Sequence, residues 1–521
     1  MNGPHFAIEV FIILLLVASA VAMAAKWVRV PYTLMLVIVG LIISPMHFLP
    51  SVHVSPELIL LIFLPALLFE ASWNLKFQHL RENLLPILVL ATLGVGLSVG
   101  VIGLILNQGL RLPWPSALLF GAMISATDPI SVLAIFKKLG LPKRLTTVIE
   151  AESLLNDGTA VVVFRIILGI AVGMNLDSTS TLIWSSMREF GLVVFGGLAV
   201  GAVIGLVAST LTSYFDDHLL EITLTTIAAY GSFLLAEGVH VSPVIAVLVT
   251  GLVVGNYGRQ IGMSPTTQLA VNSFWEYAAF VVNSLVFLLI GLEIQLPSMV
   301  QNVKSIGWAV LAMLVGRVVA IYGLMPITNR FSKPIPLRWQ HVLFWGGVRG
   351  SLSIALVLSL SQSHPGRPLL VIMVFGTVMF SLLMQGLTIS PLLRWLTFIQ
   401  PNPQLMEYEL LQSQLLAETS AIAELDAMRS QGRLAEPLHQ RLRTKLAQAQ
   451  QELSQQLAQL DAGNPSMEQQ RLRRIQQHLI DVKKTRLAEL LQEGILSEAA
   501  FQKLNKQLDE HLASSQIEPP A

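Results

Sequence analysis

Long apolar runs, separated by short polar or glycine- and proline-containing stretches, fill the first four-fifths of the chain. A helix that crosses the ~30 Å hydrocarbon core of a bilayer needs about 20 mostly apolar residues. The pattern predicts an all-α polytopic membrane protein with about thirteen such helices. The predicted spans are 6–25, 32–49, 56–73, 84–107, 115–137, 144–173, 190–212, 219–237, 241–256, 270–293, 304–326, 339–361 and 368–398. The eighth and ninth are short and are also compatible with one bent element.

A polar, helix-forming composition rich in Gln, Leu, Ala, Glu and Arg begins at about Pro401. The sequences at 432–436 and 494–498 resemble each other, and leucines around them keep the same spacing. Each unit has the order helix, glycine stop, capped helix, which predicts two helical hairpins. We therefore divide the chain into a transmembrane domain, residues 1–400, and a cytoplasmic helical tail, residues 401–521, with a regulatory or dimer-stabilising role.

A basic cluster in the tail is compatible with contact to anionic lipid or with an ordinary solvated helix face. Its members are Arg471, Arg473, Arg474, Lys483, Lys484 and Arg486.

Composition supports the membrane assignment, because 53% of the residues are hydrophobic and only 12% are charged. That balance excludes a soluble globular protein. The chain contains no cysteine, so it has neither a disulfide framework nor a thiolate metal site. The run at 6–25 has no basic stretch ahead of it and is followed by Lys26 and Arg29. We interpret this run as a retained first span and not as a cleaved signal.

The basic residues of the loops predict the orientation of the chain. With the N-terminus outside, one set of alternate loops carries Lys26, Arg29, Lys76, Arg81, Lys137, Lys138, Lys143, Arg144, Arg259, Arg330, Lys333, Arg338 and Arg394. The opposite loops carry only Arg111, Arg188, Lys304 and Arg367. The positive-inside rule then places the tail in the cytoplasm, and we expect a bacterial plasma membrane. An odd number of spans also permits two inverted six-helix repeats joined by a seventh helix, as in many secondary transporters.

Two spans are interrupted at corresponding places in the two halves. The fifth contains Ser125-Ala-Thr-Asp-Pro129, and the twelfth contains Gly346-Gly-Val-Arg-Gly350. Pro129 removes a backbone donor and disfavours helix at Asp128, while the glycines weaken the helix around Arg349. Paired interruptions of this kind indicate a binding site near the membrane midplane, because the freed carbonyls can bind a cation. We therefore expect the two interrupted helices to cross.

Asp157, in the sequence Glu152-Ser-Leu-Leu-Asn-Asp-Gly158, is the main candidate for a functional residue. Ionisable groups within a membrane span are costly and usually serve ion or proton transport. Helical spacing places Ser153, Asn156 and Asp157 on one face. Their oxygens suit an alkali cation, and the same carboxylate can hold a proton instead. Competition between the two ions for Asp157 would be enough for exchange.

Further intramembrane residues have open roles at this point. Asp128 and Thr127 could add oxygen ligands, or Asp128 could cap the second half-helix. The charged residues Glu70, Glu152, Arg317 and Arg349 are expected to pair with one another, because a buried arginine remains charged. We predict that Arg317 links Glu70 to Asn156 and that Arg349 meets Glu152 or the helix ends.

The three motifs, in this order, resemble the cation/proton antiporter family of the NhaP and sodium/proton exchanger type, over about residues 6–398. In that family the residue matching Asp157 is the shared cation and proton site, and those matching Thr127, Asp128 and Ser153 help to coordinate sodium. The residue matching Asn156 marks the electroneutral branch, whereas electrogenic relatives have a second Asp there. The resemblance also implies a homodimer in which a six-helix core moves against a dimerisation domain.

These observations predict a secondary transporter that exchanges Na⁺, with Li⁺ as a second candidate cation, for H⁺ in a 1:1 electroneutral reaction by alternating access. One carboxylate that exchanges one Na⁺ for one H⁺ moves no net charge. A K⁺/H⁺ or broad monovalent-cation antiporter is the main alternative, and a membrane sensor with a signalling tail is another. An enzyme is not supported, since we find no nucleophile with a base, metal cluster or phosphate loop. We expect no cofactor and no nucleic-acid partner.

Overall fold

A computed structural model describes residues 4–25, 27, 32–44, 58–139, 141–171, 179–214, 217–294, 296–396, 398, 403–430, 434 and 436–461, with isolated positions between 479 and 508. Every regular element in these ranges is a helix. The α-helices are α1 Pro4–Ala25, α2 Tyr32–Ile43, α3 Leu64–Asn74, α4 Phe77–Glu82, α5 Leu84–Val89, α6 Val95–Leu110, α7 Trp114–Ser125, α8 Ile130–Leu139, α9 Lys143–Ala171, α10 Thr179–Thr212, α11 His218–Gly238, α12 Pro243–Val253, α13 Arg259–Ile261, α14 Pro265–Glu293, α15 Leu296–Gln301, α16 Val303–Phe331, α17 Leu337–Trp345, α18 Ser351–Leu358, α19 Arg367–Phe380, α20 Gly386–Trp395, α21 Pro403–Ser430 and α22 Glu436–Asp461.

In the part of the chain that the structure describes, four π-helical segments lie within or at the start of the longer helices. They are Leu58–Phe63, Leu90–Gly94, Val254–Gly258 and Ser381–Gln385. The second, third and fourth join α5 to α6, α12 to α13 and α19 to α20 without a break in the helix. A π-helical turn adds a residue to the turn and changes which side chains face a neighbour, and such turns are frequent at functional sites.

Eight helices of the described residues are long and apolar enough to cross a membrane, and four shorter apolar helices accompany them. The chain is an integral membrane protein. The predicted eighth and ninth spans are separate helices, α11 and α12, and not one bent element. By its internal contacts the chain divides into two units, residues 1–399 and 400–521.

The helices of the first unit pack in two groups. One group consists of α1, α2, α3, α10, α11, α12 and α14. The other consists of α5, α6, α7, α9, α16, α18 and α19. Helix α9 packs against α7 of its own group and also against α3, α10 and α12 of the other. The side chains of α9 therefore lie where the two groups meet.

Both predicted interruptions are confirmed. Helix α7 ends at Ser125 and α8 begins at Ile130, while α17 ends at Trp345 and α18 begins at Ser351. Pro129 has no N–H to donate into a continuing helix, and the glycines around Arg349 carry no Cβ that would favour helical backbone. The two interruptions touch, because Asp128 N–H donates to the carbonyl of Val348 at 2.7 Å. A Cβ at Gly350 would overlap the Asp128 side chain, so only glycine permits this approach.

The tail contains an antiparallel hairpin of α21 and α22. The buried His439 ring lies 2.7 Å from Asp426 Oδ1, and Arg443 Nε lies 3.3 Å from the same oxygen. The hydrogen bond to His439, followed by the charge of Arg443, lowers the pKa of Asp426 below its ordinary value. Most of the predicted second hairpin, and Arg471, Arg473, Arg474 and Lys484 of the basic cluster, lie outside the described residues.

Candidate functional site

Thr127, in the interruption between α7 and α8, is the centre of a hydrogen-bond cluster with α9. Its N–H donates to Asp157 Oδ1 at 3.2 Å, and its hydroxyl donates to Ser153 Oγ at 3.0 Å. Ser153 Oγ donates in return to the Thr127 carbonyl. Asn156 Nδ2 donates to Thr127 Oγ1 at 2.9 Å. The three polar residues expected on one face of α9 therefore meet the same residue of the interrupted helix.

Asp128 is held through its backbone and its side chain. Besides the backbone bond to Val348, its Oδ1 accepts the N–H of Ile130 at 3.1 Å, at the start of α8. The capping role considered for Asp128 is thus present. The carboxylate is only half-buried, and its second oxygen, Oδ2, does not take part in that bond. Asp128 could therefore still bind a cation.

Arg349 binds the end of a helix, which is one of the two contacts predicted for it; the other was Glu152. Its Nη1 donates to the carbonyl of Ser125, the last residue of α7, at 3.0 Å and to that of Ala126, which follows it, at 3.2 Å. A cation at a helix C-terminus is favoured by the helix dipole. Because the side chain is 3% exposed, the guanidinium supplies a buried positive charge beside the interruption.

The predicted pairing of Arg317 with Glu70 is wrong. Arg317 instead binds Glu152 through two hydrogen bonds, Nη1 to Oε1 at 2.7 Å and Nη2 to Oε2 at 3.0 Å, and both side chains are buried. Nη2 also donates to the Leu343 carbonyl of α17 at 3.2 Å. Asn156 Nδ2 lies 3.5 Å from Glu152 Oε1. The carboxylate that connects Arg317 to Asn156 is therefore Glu152, four residues from Asn156 on the same helix.

Glu70 is placed apart from this pair. It is half-buried on α3, and its Oε1 accepts a hydrogen bond from Asn74 Nδ2 one turn along the same helix, at 2.8 Å. Periodicity could not distinguish Glu70 from Glu152 as the partner of Arg317, because the choice depends on which helices pack together. Helix α3 packs with α12 and α14, in the group opposite to α16.

Asp157 differs from its charged neighbours in the partners of its side chain. Among the described residues its side chain accepts one hydrogen bond, from a backbone N–H, and forms no ion pair. It is half-buried at the meeting of the two helix groups. Nearby, the buried Asn156 Oδ1 has no hydrogen-bond donor in the part of the chain described. A carboxylate without a fixed counter-ion and an amide oxygen without a donor are two oxygens available to a cation.

One polar contact of the site was missed by sequence reasoning. Ser381, at the start of the last π-helical segment, accepts the N–H of Arg349 at 2.9 Å. The sequence signal is that Ser381 and Gln385 are two of several polar residues within a mostly apolar span. That signal is weak, since a serine in a membrane helix commonly bonds within its own helix.

Comparison with known proteins defines the class. The transmembrane sodium/hydrogen exchanger family model matches residues 12–395. The chain belongs to this family, which confirms the resemblance seen in the motifs.

Two curated relatives match nearly the whole chain. The low-affinity Na⁺/H⁺ antiporter NhaS1 of Synechocystis sp. is 41% identical over 503 residues, covering 95% of this chain and 94% of the relative. The Na⁺/H⁺ antiporter NhaG of Bacillus atrophaeus is 39% identical over 505 residues, covering 95% of each. The matches to these relatives therefore extend beyond the membrane helices into the tail.

A solved structure supports the fold. The sodium proton antiporter MjNhaP1 from Methanocaldococcus jannaschii superposes with a TM-score of 0.63 at 21% identity, covering 75% of this chain and 99% of MjNhaP1. This chain therefore shares the membrane fold of MjNhaP1.

Proposed function

We propose that this protein is a Na⁺/H⁺ antiporter in which Na⁺ and H⁺ compete for the carboxylate of Asp157. The observation that carries the proposal is the contrast in charge pairing on α9. Glu152 is neutralised by Arg317 in a direct ion pair, whereas Asp157 forms no ion pair among the described residues. A carboxylate without a fixed cation must take either a proton or a mobile cation when it is desolvated.

The oxygens around Asp157 fit an alkali cation. In the proposed site the Asp157 carboxylate is joined by Ser153 and Asn156 of α9 and by Thr127 and Asp128 of the interruption. Carboxylate, hydroxyl, amide and backbone oxygens are hard ligands of the kind that such cations bind. The donor-free Asn156 Oδ1 supports this assignment, because a bound cation would satisfy that oxygen.

The charge balance supports an electroneutral exchange. Glu152 and Arg317 form a closed pair, and Arg349 is fixed on the end of α7. If these groups, Glu70 and Asp128 keep their charges, one Na⁺ replacing one H⁺ on Asp157 changes no net charge. The ion gradients would then drive transport, because the membrane potential acts only on net moved charge.

The two helix groups suggest how access alternates. In our proposal the group that contains α7, α9, α16 and α18 carries the site past the group that contains α3, α12 and α14. Thirteen spans in two inverted repeats, with a homodimer formed through the second group, are part of the same proposal. The proposal also places the N-terminus outside the cell and the tail in the cytoplasm, with the protein in a bacterial plasma membrane. The tail would bias this motion, since a domain can shift an equilibrium only by binding one state better.

The proposal is tested by reconstituting the protein into liposomes that contain a pH-sensitive dye. An imposed Na⁺ gradient should move protons in wild type but not in Asp157→Asn. Selective collapse of the membrane potential should leave the rate unchanged if exchange is electroneutral. Proton movement that persists in a folded Asp157→Asn protein would contradict the assignment.

Exchange of K⁺ is the second candidate. Oxygen ligands around one carboxylate do not by themselves fix the radius of the cation. Parallel gradients of Na⁺, Li⁺ and K⁺ in the same liposomes separate the two possibilities. Equal rates with Na⁺ and K⁺ would favour a broad monovalent-cation antiporter.

A further inference from the structure

Ser381 lies at the first position of the π-helical segment Ser381–Gln385, between α19 and α20, and its side chain is completely buried. Its hydroxyl donates to the Val378 carbonyl of the same helix at 3.1 Å and accepts the Arg349 N–H at 2.9 Å. The hydroxyl therefore acts as a donor within its own helix and as an acceptor outside it. The second bond leaves the helix and reaches the interrupted backbone between α17 and α18.

The peptide group between Val348 and Arg349 is held at both ends. Its N–H is bound by Ser381, and its carbonyl accepts the Asp128 N–H at 2.7 Å. No helical bond fixes this peptide, because it lies in the interruption with Gly347 and Gly350 on either side. Glycine leaves the neighbouring backbone free to rotate. The Ser381 hydroxyl is thus a main restraint on the direction of the Val348 carbonyl.

That carbonyl in turn restrains the backbone of the candidate cation site. Asp128 is bound by Val348, and the preceding residue, Thr127, donates its N–H to Asp157. The backbone at 127–128 therefore connects Asp157 on one side with the Val348 peptide on the other. A rotation of that peptide would move the Thr127 and Asp128 oxygens relative to the Asp157 carboxylate.

We propose that Ser381 is a positioning residue for the cation site, acting through the Val348–Arg349 peptide. This inference rests on the proposed function, because the site it positions is the one assigned to Na⁺. The hydroxyl does not touch the cation. It orients the peptide whose carbonyl holds Asp128, and loss of the hydroxyl weakens cation binding more than it changes the maximal rate.

The test compares Ser381→Ala, which removes the acceptor, with Ser381→Thr, which keeps it. Thr377→Val is a matched control, because Thr377 is also fully buried on α19 but its hydroxyl donates to Met373 of its own helix. Each protein is examined for binding of radioactive sodium in detergent, for the KM and maximal rate of exchange in liposomes, and for thermal stability.

We expect Ser381→Ala to weaken sodium binding and raise the KM by about three- to tenfold, the cost of one lost hydrogen bond. Ser381→Thr should bind sodium nearly as wild type does, and so should Thr377→Val. Unchanged binding in folded Ser381→Ala would overturn the inference. So would an equal loss in Thr377→Val, or a loss of stability with unchanged KM, which would indicate a purely structural hydroxyl.

Ser381→Cys decides the question if Ser381→Ala does not fold, since a thiol is nearly isosteric but a weak acceptor. Weakened sodium binding by that variant supports the inference, and wild-type binding contradicts it. The binding measurement also separates this inference from the proposed function. Wild type that binds sodium but does not exchange it would refute antiport, while the Ser381 series would still report on the site. Wild type that binds no sodium would refute both.

Discussion

Glu152 and Asp157 stand five residues apart on one helix, and their surroundings are opposite. Glu152 is 1% exposed and receives two hydrogen bonds from Arg317. Asp157 is half-buried and receives one, from the backbone of Thr127. The difference teaches that burial alone does not identify a transport residue. The more deeply buried carboxylate is fixed by an ion pair, whereas Asp157, which we propose to exchange its ligand, forms no ion pair among the described residues.

The largest effect is expected from removing the exchangeable charge. Asp157→Asn keeps the shape of the side chain and its bond to the Thr127 N–H, but it can neither bind a proton nor neutralise a cation. Cation-driven proton movement in liposomes should fall to the background rate while folding and insertion are retained. The matched variant Ser153→Ala, which removes a neutral oxygen, should reduce the apparent affinity without abolishing exchange. A normal rate of cation-driven proton movement in Asp157→Asn would contradict the difference in role that we propose for Glu152 and Asp157.

Breaking the ion pair between Glu152 and Arg317 should lower the stability of the protein. Arg317→Ala leaves Glu152 buried without its cation, a change that typically destabilises by about 3–5 kcal/mol. Thermal unfolding in detergent, with the exposed Arg188→Ala as control, measures the loss. The double variant Glu152→Gln with Arg317→Met should recover part of that stability, because neither charge is then stranded. If Arg317→Ala is fully stable yet inactive, Arg317 has a direct role in ion binding.

A variant of Glu70 on α3 extends the comparison between carboxylates that are fixed in a buried ion pair and carboxylates that are not. Its carboxylate is only half-buried, and the side-chain oxygen of a glutamine can still accept the Asn74 hydrogen bond, so Glu70→Gln should cost about 1 kcal/mol or less. The unfolding temperature should therefore move much less than for Arg317→Ala. A loss as large as that of Arg317→Ala would show that Glu70 is a structural partner of the core after all.

The smallest effect is expected in the tail, where a carboxylate is paired but exposed to water. The hydrogen bond from His439 lowers the pKa of Asp426, so the stability it contributes is present above the ordinary pKa of an aspartate. That contribution is lost as the pH falls through the lowered pKa. Asp426→Asn should thus loosen the α21–α22 hairpin at neutral pH, with the difference from wild type disappearing in strong acid.

The hairpin is accessible to a direct measurement. Because the natural chain has no cysteine, spin labels can be placed specifically at Gln414→Cys and Gln455→Cys, two exposed positions. Electron paramagnetic resonance then reports the separation of the two helices as a function of pH. An identical distance distribution in wild type and Asp426→Asn at every pH would contradict a contribution from this pair.

Much of the candidate site was predictable because its signals are local. Pro129 and the glycines at 346, 347 and 350 specify the two interruptions through backbone chemistry, and helical spacing brings Ser153, Asn156 and Asp157 to one face. The partner of Arg317 was not predictable in this way. Glu70 and Glu152 are equally plausible carboxylates in the sequence. Tertiary packing decides between them, because Arg317 of α16 reaches Glu152 of α9, while α3, which carries Glu70, packs in the other helix group.

Ser381 was missed for a related reason. Its bond to Arg349 depends on a π-helical turn and on the meeting of α19 with the interruption, and neither leaves a pattern in the hydrophobic periodicity. The pattern of apolar and polar residues also did not define the exact first and last residues of the spans. The predicted span 339–361, for example, begins at Leu337 of α17 and ends at Leu358 of α18, on either side of the predicted interruption.

The account depends most on the claim that one carboxylate holds either Na⁺ or H⁺. Binding of a cation to a protonated ligand releases the proton. Sodium added to the purified protein in weakly buffered detergent should therefore release about one proton per bound Na⁺. The release should vanish in Asp157→Asn and persist in Glu70→Gln. Sodium binding without proton release in wild type, or an undiminished release in Asp157→Asn, would contradict competition at Asp157.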